Sequence, residues 1–70
     1  MEEKLTIKQA RQLANITIRE MAKKLEMSPT TYVNKENGTS RIYVDEAYRF
    51  CKIVGRPITS IFFESSVTDN

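Results

Sequence analysis

Residues 17–38 read Thr17-Ile-Arg-Glu-Met-Ala-Lys-Lys-Leu-Glu-Met-Ser-Pro-Thr-Thr-Tyr-Val-Asn-Lys-Glu-Asn-Gly38, and this stretch decides the fold. Thr17 is a helix N-cap with Glu20 three residues on, the spacing of a capping box, in which each side chain accepts from the other residue's backbone N–H. Ile18, Met21, Ala22 and Leu25 follow at i, i+3, i+4 and i+7, a one-sided apolar stripe. Arg19, Glu20, Lys23 and Lys24 cover the outer side. After the brief link Glu26-Met27, Ser28 is a second N-cap. Pro29 takes the first helical position, where its missing N–H costs nothing. Gly38 supplies the left-handed residue that ends this helix. Thr30 to Val33 include β-formers, but Ser28-Pro29 before them and Asn37-Gly38 after them fit a helix better. Helices over 17–25 and 28–37, joined by about three residues, must cross steeply. Spacing alone leaves two arrangements open: a helix-turn-helix, or a plain helical hairpin in a small bundle.

Working outward, Thr6 opens a helix over 6–14, with Gln9 at the capping-box position. Ile7, Ala10 and Ala14 form its inner stripe, with Leu13 beside them, and Asn15 ends it. Residues 39–43 are a polar loop with one apolar anchor, Ile42. A helix over 44–54 turns Val44, Ala47, Phe50, Cys51 and Val54 inward and stops at Gly55. Pro57 leads into a last short helix, 58–63, with Ile58, Ile61 and Phe62 facing in. No alternating segment is long enough to argue for a strand. The expectation is an all-α fold of five helices in one domain, residues 1–64, followed by a flexible tail, 65–70.

Seventy residues are one domain at most, and a chain this short buries a modest share of its surface. With a lone cysteine, Cys51, there is no disulfide framework, and with no histidine there is no expected zinc site. Cys51 sits on an apolar stripe and reads as a small buried hydrophobe. Forty per cent hydrophobic residues is an ordinary globular composition rather than a disordered one. Eleven basic and nine acidic residues leave a net charge of +2, which permits a nucleic-acid partner without requiring one. Met1-Glu2-Glu3-Lys4 is polar, and no stretch approaches a membrane span. The sequence holds no Ser-His-Asp or Cys-His set, no paired acids and no Gly-rich phosphate loop, so no enzyme is expected. Neither a cofactor nor a metal is expected, and the expected setting is the cytoplasm of a bacterial host.

The third helix carries the chemistry. Thr30, Thr31, Val33 and Asn34 are small or polar and are not needed for the core, whereas Tyr32 packs inward. Asn pairs with an adenine edge through donor and acceptor together, and the Thr methyl touches a thymine methyl. Thr30 and Thr31 lie in the first turn, where free N–H groups also favour a phosphate oxygen. Each of these residues alone is equally at home on a solvated surface, and the set is better evidence than its members. Lys35, Asn37 and Arg41 are candidate phosphate contacts, followed by Arg19, Lys8 and Arg11. Solubility charges are the plainer account of the cations on the first helix.

The segment Ile16 to Gly38 resembles the Xre/Cro/CI family of phage and bacterial helix-turn-helix regulators. Ala22 stands at the family's small inter-helix alanine, Leu25, Met27 and Tyr32 at its core positions, and Glu36-Asn37-Gly38 at its Glu-x-Gly. The similarity extends over residues 5–63, with Pro57 to Phe63 resembling the family's last helix. It implies a five-helix, lambda-repressor-like DNA-binding domain with the helix-turn-helix in helices two and three. Base-contacting positions then fall on Pro29, Thr30 and Asn34. Backbone-contacting positions fall on Thr17, Ile18, Thr31, Asn37 and Arg41. Ile18 stands where the family often has a phosphate-holding Gln. Glu26 stands where it often has Gly, and is strained if its φ is positive. Pro29 cannot donate to a base.

Two functions follow. One is a sequence-specific transcriptional regulator of a phage or mobile-element switch, with helix 28–37 in the major groove and an operator bound as a dimer. With no room for a separate sensor domain, it is more like a Cro-type protein than a full-length repressor. Phe62 and Phe63 cannot both enter one small core, so one is a contact for a second copy or Phe63 folds over the first helix. The other function is a modulator or anti-repressor that keeps the fold and docks on a phage repressor through Ile18, Tyr32, Val33 and Phe63. An antitoxin module is a third reading. The expected partners are double-stranded DNA, a second copy of the chain and a phage repressor, with no membrane and no small-molecule substrate.

Overall fold

The computed structural model describes residues 4–63 and 67–68. Four α-helices form where the capping signals lie: α1 Ile7–Leu13, α2 Ile18–Lys24, α3 Pro29–Glu36 and α4 Val44–Val54. Thr6 and Gln9 close a reciprocal box, with Thr6 N donating to Gln9 Oε1 at 2.9 Å and Gln9 N to Thr6 Oγ1 at 3.0 Å. Thr17 and Glu20 repeat it at 2.9 and 3.1 Å. The hydrogen bonds from the Thr17 N–H and hydroxyl hold the Glu20 carboxyl below its usual pKa. Ser28 caps α3 by accepting from Thr31 N, with Pro29 at the first helical position as expected. Where α4 begins, the cap comes from three residues on, as Glu46 accepts from Tyr43 N at 3.1 Å.

The helix ends explain how such short helices can turn so sharply. After α1, Ile16 N donates to Arg11 O and Asn15 N to Gln12 O. After α2, Met27 N donates to Ala22 O and Glu26 N to Lys23 O. This paired pattern needs a left-handed residue just past the helix, and it buries an apolar side chain one residue later. Ile16 and Met27 fill that apolar role, both packed against the core. The left-handed residues are Asn15 (φ 60°) and Glu26 (φ 61°), joined by Gly38 and Gly55 after α3 and α4.

Glu26 therefore holds a conformation that costs a side-chain-bearing residue roughly 1–2 kcal/mol. Its 3.8 Å contact with Arg49 is largely exposed and offsets little of this. Glu26→Gly is expected to stabilise the domain by about 0.5–1 kcal/mol after the added unfolded-state entropy is subtracted. A thermal melt should rise by several degrees, and an unchanged or lower midpoint would remove strain at this turn.

The fifth helix is not formed. Residues 58–60 make a single 3-10 turn, and Ile61–Phe62 is a strand, β3, that runs parallel to β1, Leu5–Thr6. The register is Leu5 with Ile61 and Thr6 with Phe62. Along this strand and just after it Ile61 is buried, Phe62 exposed and Phe63 half-buried, in a run of β-branched and aromatic residues. Phe62, expected inward, points out at 50 % exposure, while Phe63 packs against the core. A second short parallel pair joins β2, Ile42–Tyr43, to β4, Val67–Thr68. The rest of the expected tail, residues 65, 66, 69 and 70, lies outside the described residues.

The core gathers Ile7, Ala10, Met21, Ala22, Leu25, Tyr32, Ile42, Phe50, Cys51 and Ile61. Burial pushes the Cys51 thiol pKa up, in keeping with an inert packing role. Leu13, expected beside the inner stripe of the first helix, is 62 % exposed. Among the described residues no helix is long and apolar enough to cross a membrane.

Candidate nucleic-acid interface

Helix α3 packs mainly on α2, across the tight turn Leu25 to Ser28. Ala22 is fully buried, so the two helices approach closely with no side chain to hold them apart. Tyr32 is fully buried and anchors α3 from its inner side. The outer side is left with Thr30, Thr31, Asn34 and Asn37, all exposed, at i, i+1, i+4 and i+7. Pro29 is exposed at its start, and Val33 is half-buried at the edge of the stripe. This face is polar and uncharged, because the two charged residues of α3, Lys35 and Glu36, are turned inward.

Glu36 is the centre of a buried polar cluster. Arg11 donates to it from Nε at 2.8 Å and from Nη2 at 3.5 Å, and the Tyr32 hydroxyl donates at 2.7 Å. Arg11 also donates from Nη1 to the Ile16 carbonyl at 2.9 Å. One guanidinium thus ties α1, the loop before α2 and the end of α3. The Glu36 hydrogen bonds raise the Arg11 pKa further, and burial, then the Glu36 bond, raises that of Tyr32. Both therefore stay protonated, and the cluster is a fixed structural tie. Arg11, with its side chain only 9 % exposed, is removed from the phosphate candidates.

Lys35 is also removed. Its ammonium donates to the Arg41 carbonyl at 2.7 Å and to Glu46 Oε1 at 3.0 Å, with the side chain 8 % exposed. It cannot reach a phosphate without leaving both. Tyr32, considered as a partner contact, is excluded by its complete burial. Ile18 is half-buried and packs on the core, so it offers little apolar surface to a partner.

The remaining candidates stay at the surface. Thr17, Arg19, Asn37 and Arg41 are exposed, as is Lys8. Thr31 is exposed, with its hydroxyl oxygen accepting from Ser28 Oγ at 2.9 Å. Thr17 caps α2 through its own hydroxyl oxygen, which accepts from Glu20 N at 3.1 Å. The Asn34 carbonyl accepts from Thr39 N, Ser40 N and the Thr39 hydroxyl, so α3 and the following loop are one unit.

The packed pair α2–α3 with a polar outer stripe fits what comparison of the sequence finds. Residues 7–61 match a protein-family model described as helix-turn-helix. The chain belongs to the Xre/Cro/CI-type helix-turn-helix family. It is a DNA-binding regulator. No curated protein and no solved structure matches the chain.

In this helix-turn-helix domain the residues that sequence reasoning missed are the inward charges. Glu36 was seen as part of Glu-x-Gly, and Arg11 as a surface cation. A signal was present in the spacing. Glu36 lies four residues after the buried Tyr32, so it is turned to the same side of α3. A carboxylate there must be met by a cation from elsewhere in the chain.

Proposed function

We propose that the domain binds a specific DNA operator by laying α3 in the major groove. Thr30 and Asn34 then face base edges, and Arg41, Arg19, Thr17, Thr31 and Asn37 face the flanking phosphates. The observation that carries this reading is the uncharged polar stripe of α3. Its two charges are withdrawn into the domain, while hydrogen-bonding side chains of the size that reads bases are left outward. Affinity must then come from cations beside the helix rather than on it. A second copy, contacting through the exposed Phe62, would present two such helices to a symmetric operator. The setting in a phage or mobile-element switch, within a bacterial cytoplasm, is carried by the resemblance of residues 5–63 to phage regulators.

The test is a fluorescence-anisotropy titration against random duplex and the gene's own upstream region at two salt concentrations. Selective, salt-sensitive binding with two copies per site is expected. Feeble, unselective binding would sink the operator reading and turn the search to a protein partner. In the same assay Arg41→Ala should weaken binding about fivefold at 0.15 M salt on every sequence, and should lower the salt slope by about 1. An unchanged slope would remove Arg41 from the phosphate contacts.

A further inference from the structure

Lys35 is a buried cation that the reading above leaves without a task, and its surroundings specify one. Its ammonium lies where three pieces of chain meet. It projects from the last turn of α3, donates to the Arg41 carbonyl at 2.7 Å and donates to Glu46 of α4 at 3.0 Å. The ring of Tyr43 lies 5.1 Å from it, within cation–π range. The same Glu46 oxygen accepts from Tyr43 N at 3.1 Å. The chain from Gly38 to Tyr43 is therefore gripped at both ends. At its start Thr39 and Ser40 hydrogen-bond to the Asn34 carbonyl. At its end Lys35 holds residue 41 and Glu46 holds residue 43.

Arg41 is exposed, and its side chain leaves the backbone at the carbonyl unit that Lys35 grips. We propose that Lys35, with Glu46, is a positioning residue for DNA binding. The pair fixes the main chain at Arg41 so that the guanidinium is presented to a phosphate at a set distance from the base-reading stripe of α3. The charge of Lys35 is spent inside the domain and does not touch DNA. A buried cation suits this task because a carbonyl and a carboxylate together satisfy it only in one arrangement of α3, loop and α4. This inference rests on the DNA-binding reading.

The experiment uses the full chain and random duplex DNA, with anisotropy titrations across a salt series. The variants are Lys35→Met, Glu46→Ala, Arg41→Ala and the double variant Lys35→Met with Arg41→Ala, each confirmed as folded by circular dichroism at the assay temperature. Lys35→Met is expected to weaken binding about fivefold at 0.15 M salt and to lower the salt slope by about 1, the amount for one phosphate contact. In the Arg41→Ala background it should lower the slope no further, since the contact it positions is already gone. Glu46→Ala discriminates by sign. It raises the net charge by one, which by charge alone tightens DNA binding, whereas loss of positioning weakens it. It also stands in for Lys35→Met should that variant fail to fold.

Additive slopes in the double variant, or tighter binding by Glu46→Ala, would overturn the proposal. So would wild-type affinity in a folded Lys35→Met. Failure of the DNA reading itself shows separately, as a wild-type chain without salt-sensitive binding to any duplex.

Discussion

Glu36→Ala is expected to lower stability by about 3–5 kcal/mol, the cost of leaving a buried ion without its partner. A domain of this length is stable by roughly 4–10 kcal/mol, so the loss removes from about a third of that stability to all of it. The effect is this large because three donors converge on one carboxylate whose side chain is 4 % exposed. Truncation removes that acceptor and strands the Arg11 guanidinium and the Tyr32 hydroxyl together. At about 4–8 °C per kcal/mol for a small domain, the melting midpoint should fall by more than 12 °C. A fall of under about 5 °C would show that water replaces the carboxylate and that the cluster is not a tie.

Tyr32→Phe is the internal control. It removes one of the donors and keeps the ring in the core, so it should cost only about 1–2 kcal/mol. Replacing the whole pair, Arg11→Met with Glu36→Leu, should recover part of the loss, since buried ion pairs exchange for apolar residues at little net cost. Recovery is incomplete here for a local reason. The Ile16 carbonyl and the Tyr32 hydroxyl both lose their partners when the pair goes.

Those residues also show where the sequence was legible and where it was not. The helices were readable because their limits are set by contacts three to five residues apart: Thr6 with Gln9, Thr17 with Glu20, Ser28 with Thr31. Glu26 and Asn15 follow the same logic, as the residue after each helix must be left-handed whatever its side chain. The last segment failed because its conformation is decided at long range. Ile61 and Phe62 are strand only because Leu5 and Thr6 lie alongside, and two paired residues leave no periodicity to count. The site divided in the same way. The outward stripe of α3 follows from helical period once Tyr32 is placed in the core. The inward turn of Lys35 depends on Arg41 and Glu46, neither of which α3 itself specifies. A charge on a candidate recognition helix thus reads as a phosphate contact until the third element is in place.

The second large effect concerns selectivity. Asn34→Ala is expected to cost about 1–3 kcal/mol of discrimination at one base pair, with little change in affinity for random duplex. Asn34 lies in the middle of the exposed stripe, four residues after Thr30 and three before Asn37. Its competitors on this face are constrained: Pro29 has no N–H to donate, and the Thr31 oxygen already accepts from Ser28. Asn37 is the C-cap of the helix, at the end farthest from its first turn. Among the described residues the Asn34 amide has no side-chain partner, so both its donor and its acceptor are free for an adenine edge. The ties that hold the following loop run to its main-chain carbonyl, which alanine retains. The fold should therefore survive, and a change in binding reports on the amide. Titration against the preferred site and a panel of single-base-pair variants should show flattening at one position. An equal loss on every sequence would instead place the amide on a phosphate, leaving Thr30 as the stripe's remaining reader of bases.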